Sequence, residues 1–179
     1  MADNYVETAF TISVTRDEAE LLKECCEVAD EISFDFPTIQ LDGNEAAKAY
    51  YAKRSEAFRT TFPEQGNEED PFAAFLELWS HPDYPSFDAD MTISKSPDGD
   101  GQEAYFCGVQ VDTDALASLI QRVCKSALPF GFEWANYCSK PRSGEFGGGY
   151  LVITDTDIIG GSTHWLMQET LNSLRKGPD

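Results

Sequence analysis

The hydrophobic period of this chain switches from two to 3.6 at Thr15, and that switch restricts the fold more than any other feature. Residues 5–14 alternate and are rich in β-branched side chains, with Val6, Phe10, Ile12 and Val14 on or near one face of a strand. Thr15-Arg16-Asp17-Glu18 has the Ser/Thr-x-x-Glu form of a capping box. The spacing then predicts a helix over 16–32, with Leu22, Cys25, Cys26, Ala29 and Ile32 on its apolar stripe.

Similar switches recur downstream. Residues 33–43 read as a connection, with a short strand possible at 38–41, and Asn44 caps a helix expected over 45–61. Residues 63–70 read as an acidic loop, and Pro71 opens a short helix to Trp79. Strands over 87–95 and 103–111 flank Ser96-Pro97-Asp98-Gly99-Asp100-Gly101, which is hairpin chemistry. Asp112 or Thr113 caps a helix over 113–126 carrying Leu116, Leu119, Ile120, Val123 and Cys124. Aromatic-rich strands at 130–138 and 148–155 precede a last helix that starts at Ser162 or Thr163 and ends at Gly177. The order β-α-(α-α)-β-β-α-β-β-α predicts an α+β domain over 1–179: an antiparallel sheet with helices on one face. Its core has the ferredoxin-like β-α-β-β-α-β pattern, with a helical insertion at about 44–86.

Charge carries the main functional signal. The net charge is −19, yet 41% of residues are hydrophobic, which excludes a disordered acidic chain. Residues 1–47 have net charge −10, residues 48–63 +3, residues 64–114 −12 and residues 115–179 zero. Acid added for solubility would be spread throughout, whereas concentrated acid makes a field that steers a basic partner. Glu20, Glu24, Glu27 and Glu31 follow at spacings of 4, 3 and 4, so they stack along one helix face; a solvated face is the alternative. Glu68, Glu69 and Asp70 add a second acidic cluster. Direct nucleic-acid binding is not expected, because Lys48, Lys53, Arg54, Arg59, Lys140 and Arg142 are scattered.

No segment has the length of apolar chain needed to span a membrane, and the start lacks the features of a signal peptide. Five cysteines, two of them adjacent and none in a Cys-x-x-Cys pair, read as buried free thiols. A cytoplasmic protein is therefore expected.

Several residue groups invite a catalytic or metal reading. Asp98-Gly99-Asp100-Gly101 with Glu103 resembles a calcium-loop start but lacks the flanking helices and further ligands, so a turn is expected. His81, Asp83, Asp88 and Asp90 are interrupted by Pro82 and Pro85 and read as a surface loop. Gly147-Gly148-Gly149 leads into a strand, where a phosphate loop would open a helix. The Asp112/Asp114 and Asp155/Asp157 pairs suit turns and caps, and only the presence of both residues suggests a Cys138/His164 nucleophile. No catalytic residue, metal or cofactor is expected.

The segments Phe130-Gly131-Phe132-Glu133-Trp134-Ala135 and Phe146-Gly147-Gly148-Gly149-Tyr150-Leu151-Val152-Ile153-Thr154 resemble a pattern in uncharacterised phage- and plasmid-borne proteins. In size and localised acidity the chain is similar, at the level of class, to counter-defence proteins such as anti-CRISPR inhibitors and DNA mimics. That resemblance implies a non-enzymatic inhibitor whose carboxylates imitate phosphates on the basic surface of a nucleic-acid-binding protein. The alternatives are a small-ligand protein or enzyme with a pocket lined by Trp79, Tyr84 and Trp134, and a structural or homo-oligomeric accessory protein.

Overall fold

A computed structural model describes residues 3–41, 44–64, 70–81, 85–97, 99 and 101–176. Strand β1 (Asn4–Val14) leads into helix α1 (Arg16–Leu41) through the expected capping box. The Thr15 N–H donates to Glu18 at 2.8 Å, and the Glu18 N–H donates to the Thr15 hydroxyl at 3.2 Å. Then come α2 (Asn44–Tyr51), α3 (Glu56–Thr61), the single turn α4 (Ala73–Leu76), β2 (Asp90–Lys95) and β3 (Gln102–Gly108). Helix α5 (Thr113–Val123) is capped by Asp112, whose carboxylate accepts from the Ala115 N–H at 3.0 Å. A 3-10 turn (Lys125–Ala127), β4 (Phe130–Cys138), β5 (Gly147–Ile153), β6 (Ile158–Ser162) and α6 (Thr163–Lys176) complete the order.

The six strands form one sheet in the order β2-β3-β1-β4-β5-β6, with every neighbouring pair antiparallel. The chain is therefore an α+β protein. β1 lies between β3 and β4, so β1 and β2 run parallel across β3, and β3 and β4 run parallel across β1.

Thr8, Ile12 and Val14 of β1 are buried, while Glu7, Ala9, Thr11 and Ser13 are exposed. Period-two alternation thus gives the sheet one packed face and one open face. The packed face receives Leu22, Cys25, Val28, Ala29 and Ile32 of α1 and Leu116, Leu119, Ile120 and Val123 of α5, all in one buried cluster. Phe10 joins the halves by stacking on Phe106 of β3 and on Phe132 of β4, with ring centroids 5.4 and 4.4 Å apart.

The segment between α1 and β2 contributes Phe58, Phe62, Phe72, Phe75, Trp79 and Phe87 to the same cluster. Phe75 is central, with ring contacts to Phe58, Phe62 and Trp79 at 5.0–5.2 Å. This packing is what lets the three short helices α2, α3 and α4 hold a fixed position.

Four expectations need correction. Helix α1 does not stop at residue 32: its backbone remains helical across Pro37, and no strand forms at 38–41. Proline removes one intrahelical hydrogen bond, but the helix is anchored just before it by buried Ile32 and by the Ser33 hydroxyl, which donates to the Pro85 carbonyl. The helix expected over 45–61 is broken at 52–55, because Ser55 caps a new helix, accepting from the Phe58 N–H at 3.0 Å. The helix expected from Pro71 to Trp79 contracts to one turn. A sixth strand, β6, precedes the last helix; its Ile-Ile-Gly-Gly-Ser sequence has no alternation and only two strand-favouring residues to reveal it.

Candidate functional surface

Of the carboxylates expected to form one row on α1, three face solvent and one does not. Glu20, Glu27 and Glu31 are exposed, on the side opposite buried Leu21, Leu22, Val28 and Ile32. Glu20 pairs with Arg16, one turn earlier, at 3.1 Å. Glu27 and Glu31 have no hydrogen-bond or ion-pair partner among the described residues, and Asp30 adds a third free carboxylate beside them. Glu24 is half-buried and occupied: it accepts from the Ser55 N–H at 2.8 Å and from the Ser55 hydroxyl. It thereby orients the hydroxyl that caps α3 and ties the helical insertion to α1.

The second expected cluster is only partly described. Glu68 and Glu69 lie outside the described residues. Asp70 is half-buried and has a turn-forming role, its carboxylate accepting from the Phe72 N–H at 2.8 Å.

Sequence reasoning missed the open face of the sheet. Residues paired across an antiparallel ladder share a face. The pairings Asp90 with Cys107, Ser13 with Glu103, Glu7 with Ala135 and Glu133 with Tyr150 place four carboxylates on the open side. Tyr5, Tyr105, Tyr137 and Tyr150 lie on the same side, and no Lys or Arg occupies a described strand position there. Glu7 and Glu133 are diagonal neighbours across β1 and β4, a relation in which residues lie roughly 7–8 Å apart. The odd-numbered residues of β1 hinted at this face, but strand adjacency was needed to bring it together.

A groove of about 810 Å³ connects the two acidic surfaces. Asp30 of α1, Asp88, Asp90 of β2 and Glu7 of β1 line it, together with Tyr105 and Val109. Its wall depends on two local features. Asp88 adopts φ 49°, a left-handed conformation that Asp tolerates, and is held by a 2.8 Å hydrogen bond from the Ser86 hydroxyl. Gly108 permits the close approach of this segment to β3, since a Cβ there would lie 2.5 Å from the Asp88 carbonyl oxygen.

The other candidates separate in space or serve the fold. Trp79 is buried against Phe75 and Phe87 and donates from its indole to the Ser86 carbonyl at 3.0 Å. Trp134 instead lines a cleft of about 630 Å³ with Val6, Asn136, Tyr150 and Trp165. These two tryptophans do not share a pocket, and Tyr84 lies outside the described residues. Gly149 lets the Trp134 ring lie against β5, because a Cβ there would sit 2.7 Å from it.

Burial pushes the thiols of Cys26 and Cys124 up to about 12, and that of Cys25 well above its ordinary value, so all three are protonated at neutral pH. A hydrogen bond with Glu145 is the main cause that raises the Cys138 thiol. Glu18 shows the opposite balance. Burial alone would raise its carboxyl, but hydrogen bonds from Ser126 and Thr15 together outweigh that and hold it below the ordinary value.

Among the described residues, no group of three or more His, Cys, Asp or Glu has the arrangement to hold a metal ion, and no helix is long and apolar enough to cross a membrane. Comparison with known protein families, curated proteins and solved structures finds no match to this chain.

Proposed function

We propose that this protein is a non-enzymatic acidic inhibitor that occupies the basic surface of a nucleic-acid-binding protein, as a phage or plasmid counter-defence protein would. The observation that carries this reading is a continuous run of carboxylates without basic partners. It passes from Glu27 and Glu31 of α1, through Asp30, Asp88 and Asp90 in the groove, to Glu7 and Glu133 on the open sheet face. None of these seven belongs to the three ion pairs formed between described residues. Such a surface attracts Lys- and Arg-rich protein sites and repels phosphate. The tyrosines beside it add faces on which guanidinium groups stack.

Affinity purification of the tagged chain from a lysate of its host, at low and at high salt, tests the proposal. The expected result is a nucleic-acid-binding protein recovered at low salt and lost at high salt. Recovery of a partner whose binding ignores salt would refute carboxylate-based masking.

A small-ligand reading has one observation in its favour. The cleft containing Trp134 and Trp165 is bordered by Asn136, whose buried side-chain oxygen has no hydrogen-bond donor. Ligand-dependent quenching of tryptophan fluorescence, abolished in Trp134→Leu/Trp165→Leu, would favour that reading over masking.

A further inference from the structure

The C-terminal helix is the least packed element of the fold. Leu166, Met167, Thr170, Leu171 and Leu174 of α6 recur at helical spacing and form one apolar stripe. That stripe faces solvent: Leu174 is 74% exposed, Met167 50% and Leu166 49%. An amphipathic helix in a folded protein normally buries such a face.

The strand feeding this helix is also unguarded. β6 is an edge of the sheet, paired only on its β5 side. Its five residues, Ile-Ile-Gly-Gly-Ser, contain no charge and no proline, and Ile159 is 56% exposed. Edge strands are normally protected by charge, bulges or cover. The opposite edge, β2, carries Asp90 and Lys95 at its ends.

Charge identifies the occupant. A chain of net charge −19 resists contact with a copy of itself wherever both surfaces are acidic. Residues 115–179 have net charge zero, and both α6 and β6 lie within them. With large side chains counted at roughly 150–250 Å² each, the exposed parts of Ile159 and the four large stripe residues come to about 500 Å² per chain. That is more than half of the roughly 800 Å² per partner in a standard interface, before any backbone or rim is included.

We propose that the protein forms a two-fold homodimer in which β6 pairs with β6 of a second copy and the α6 stripes are buried between the copies. Antiparallel pairing of identical edge strands is self-complementary, so the association closes at two chains. The lengths are compatible: β6 spans about 16 Å and α6 about 21 Å. Gly160 and Gly161 leave the strand edge unobstructed. The acidic surface of each copy stays outside the contact, so the dimer presents it twice.

Sedimentation equilibrium of the purified full chain, at low and high salt, tests this. The wild type is expected at twice 19.9 kDa, with tighter association at high salt, where repulsion between the copies is screened. This salt response is opposite to that of the masking reading, so failure of either is distinguishable. Met167→Glu/Leu174→Glu should be monomeric while keeping the wild-type circular dichroism spectrum, because both side chains are exposed in the single chain, and its melting temperature should not vary with protein concentration as that of the dimeric wild type does. A monomeric wild type at both salts, a double variant that remains dimeric, or a mass that rises without limit would each overturn the proposal.

Discussion

Glu24→Ala separates display from architecture on α1, because the sequence reading and the structure give this residue different roles. In the row of four glutamates it looks equivalent to its neighbours. In the fold its carboxylate accepts both polar hydrogens of Ser55, while the Ser55 oxygen accepts from the Phe58 N–H. Hydrogen bonds to a charged acceptor contribute about 1.5–3 kcal/mol each, but Glu24 is half-buried and Ser55 exposed, so water competes; together they contribute about 1–2 kcal/mol. At about 2–4 °C per kcal/mol for a chain of this size, the melting temperature should fall by about 2–8 °C. Glu27→Ala is the control. It has no partner among the described residues, and its removal relieves repulsion with Glu24 and Glu31 of about 0.2–0.5 kcal/mol each. Thermal and urea unfolding followed by circular dichroism would measure both. If Glu24→Ala were as mild as Glu27→Ala, the capping role would be wrong and Glu24 would return to the displayed row.

Phe75→Ala should destabilise by about 3–5 kcal/mol, since a fully buried ring with three aromatic contacts is replaced by a cavity; urea unfolding would show it. Gly108→Ala should also destabilise, by about 1–3 kcal/mol, because its Cβ would press on the Asp88 carbonyl, and thermal unfolding would register the loss. Acid should remove the contribution of Glu18. Its folded carboxyl is held below the ordinary ~4.3, so its stabilisation is present above that value and is lost as pH falls through the folded value. The stability gap between wild type and Glu18→Gln should therefore shrink below about pH 4 in urea titrations. Cys25 and Cys124 should resist a thiol reagent in the native protein at neutral pH and react once it is unfolded.

Local rules made much of this fold legible. β1, the capping box, β4 and the Asp112 cap stand where alternation and cap chemistry put them. The misreadings have physical origins. Pro37 signals a stop by its own chemistry, whereas the anchors at Ile32 and Ser33 are tertiary. The break before Ser55 depends on Glu24, 31 positions away in the chain, and no window of local sequence contains both. β6 is too short and too glycine-rich to announce itself. The acidic surface was half legible: periodicity aligned Glu20, Glu27 and Glu31, but could not show that Glu24 turns toward Ser55. Glu7, Asp90, Glu103 and Glu133 come from four strands, and strand order alone puts them on one face.

Competition with DNA tests the central proposal most directly. With the salt-sensitive partner captured on the immobilised chain, double-stranded DNA would be titrated in at constant ionic strength. If carboxylates occupy the partner's nucleic-acid site, DNA displaces the partner, and Glu27→Lys/Glu31→Lys weakens capture without lowering the melting temperature. A partner that stays bound at saturating DNA, and binds the charge-reversed chain equally well, would contradict the account.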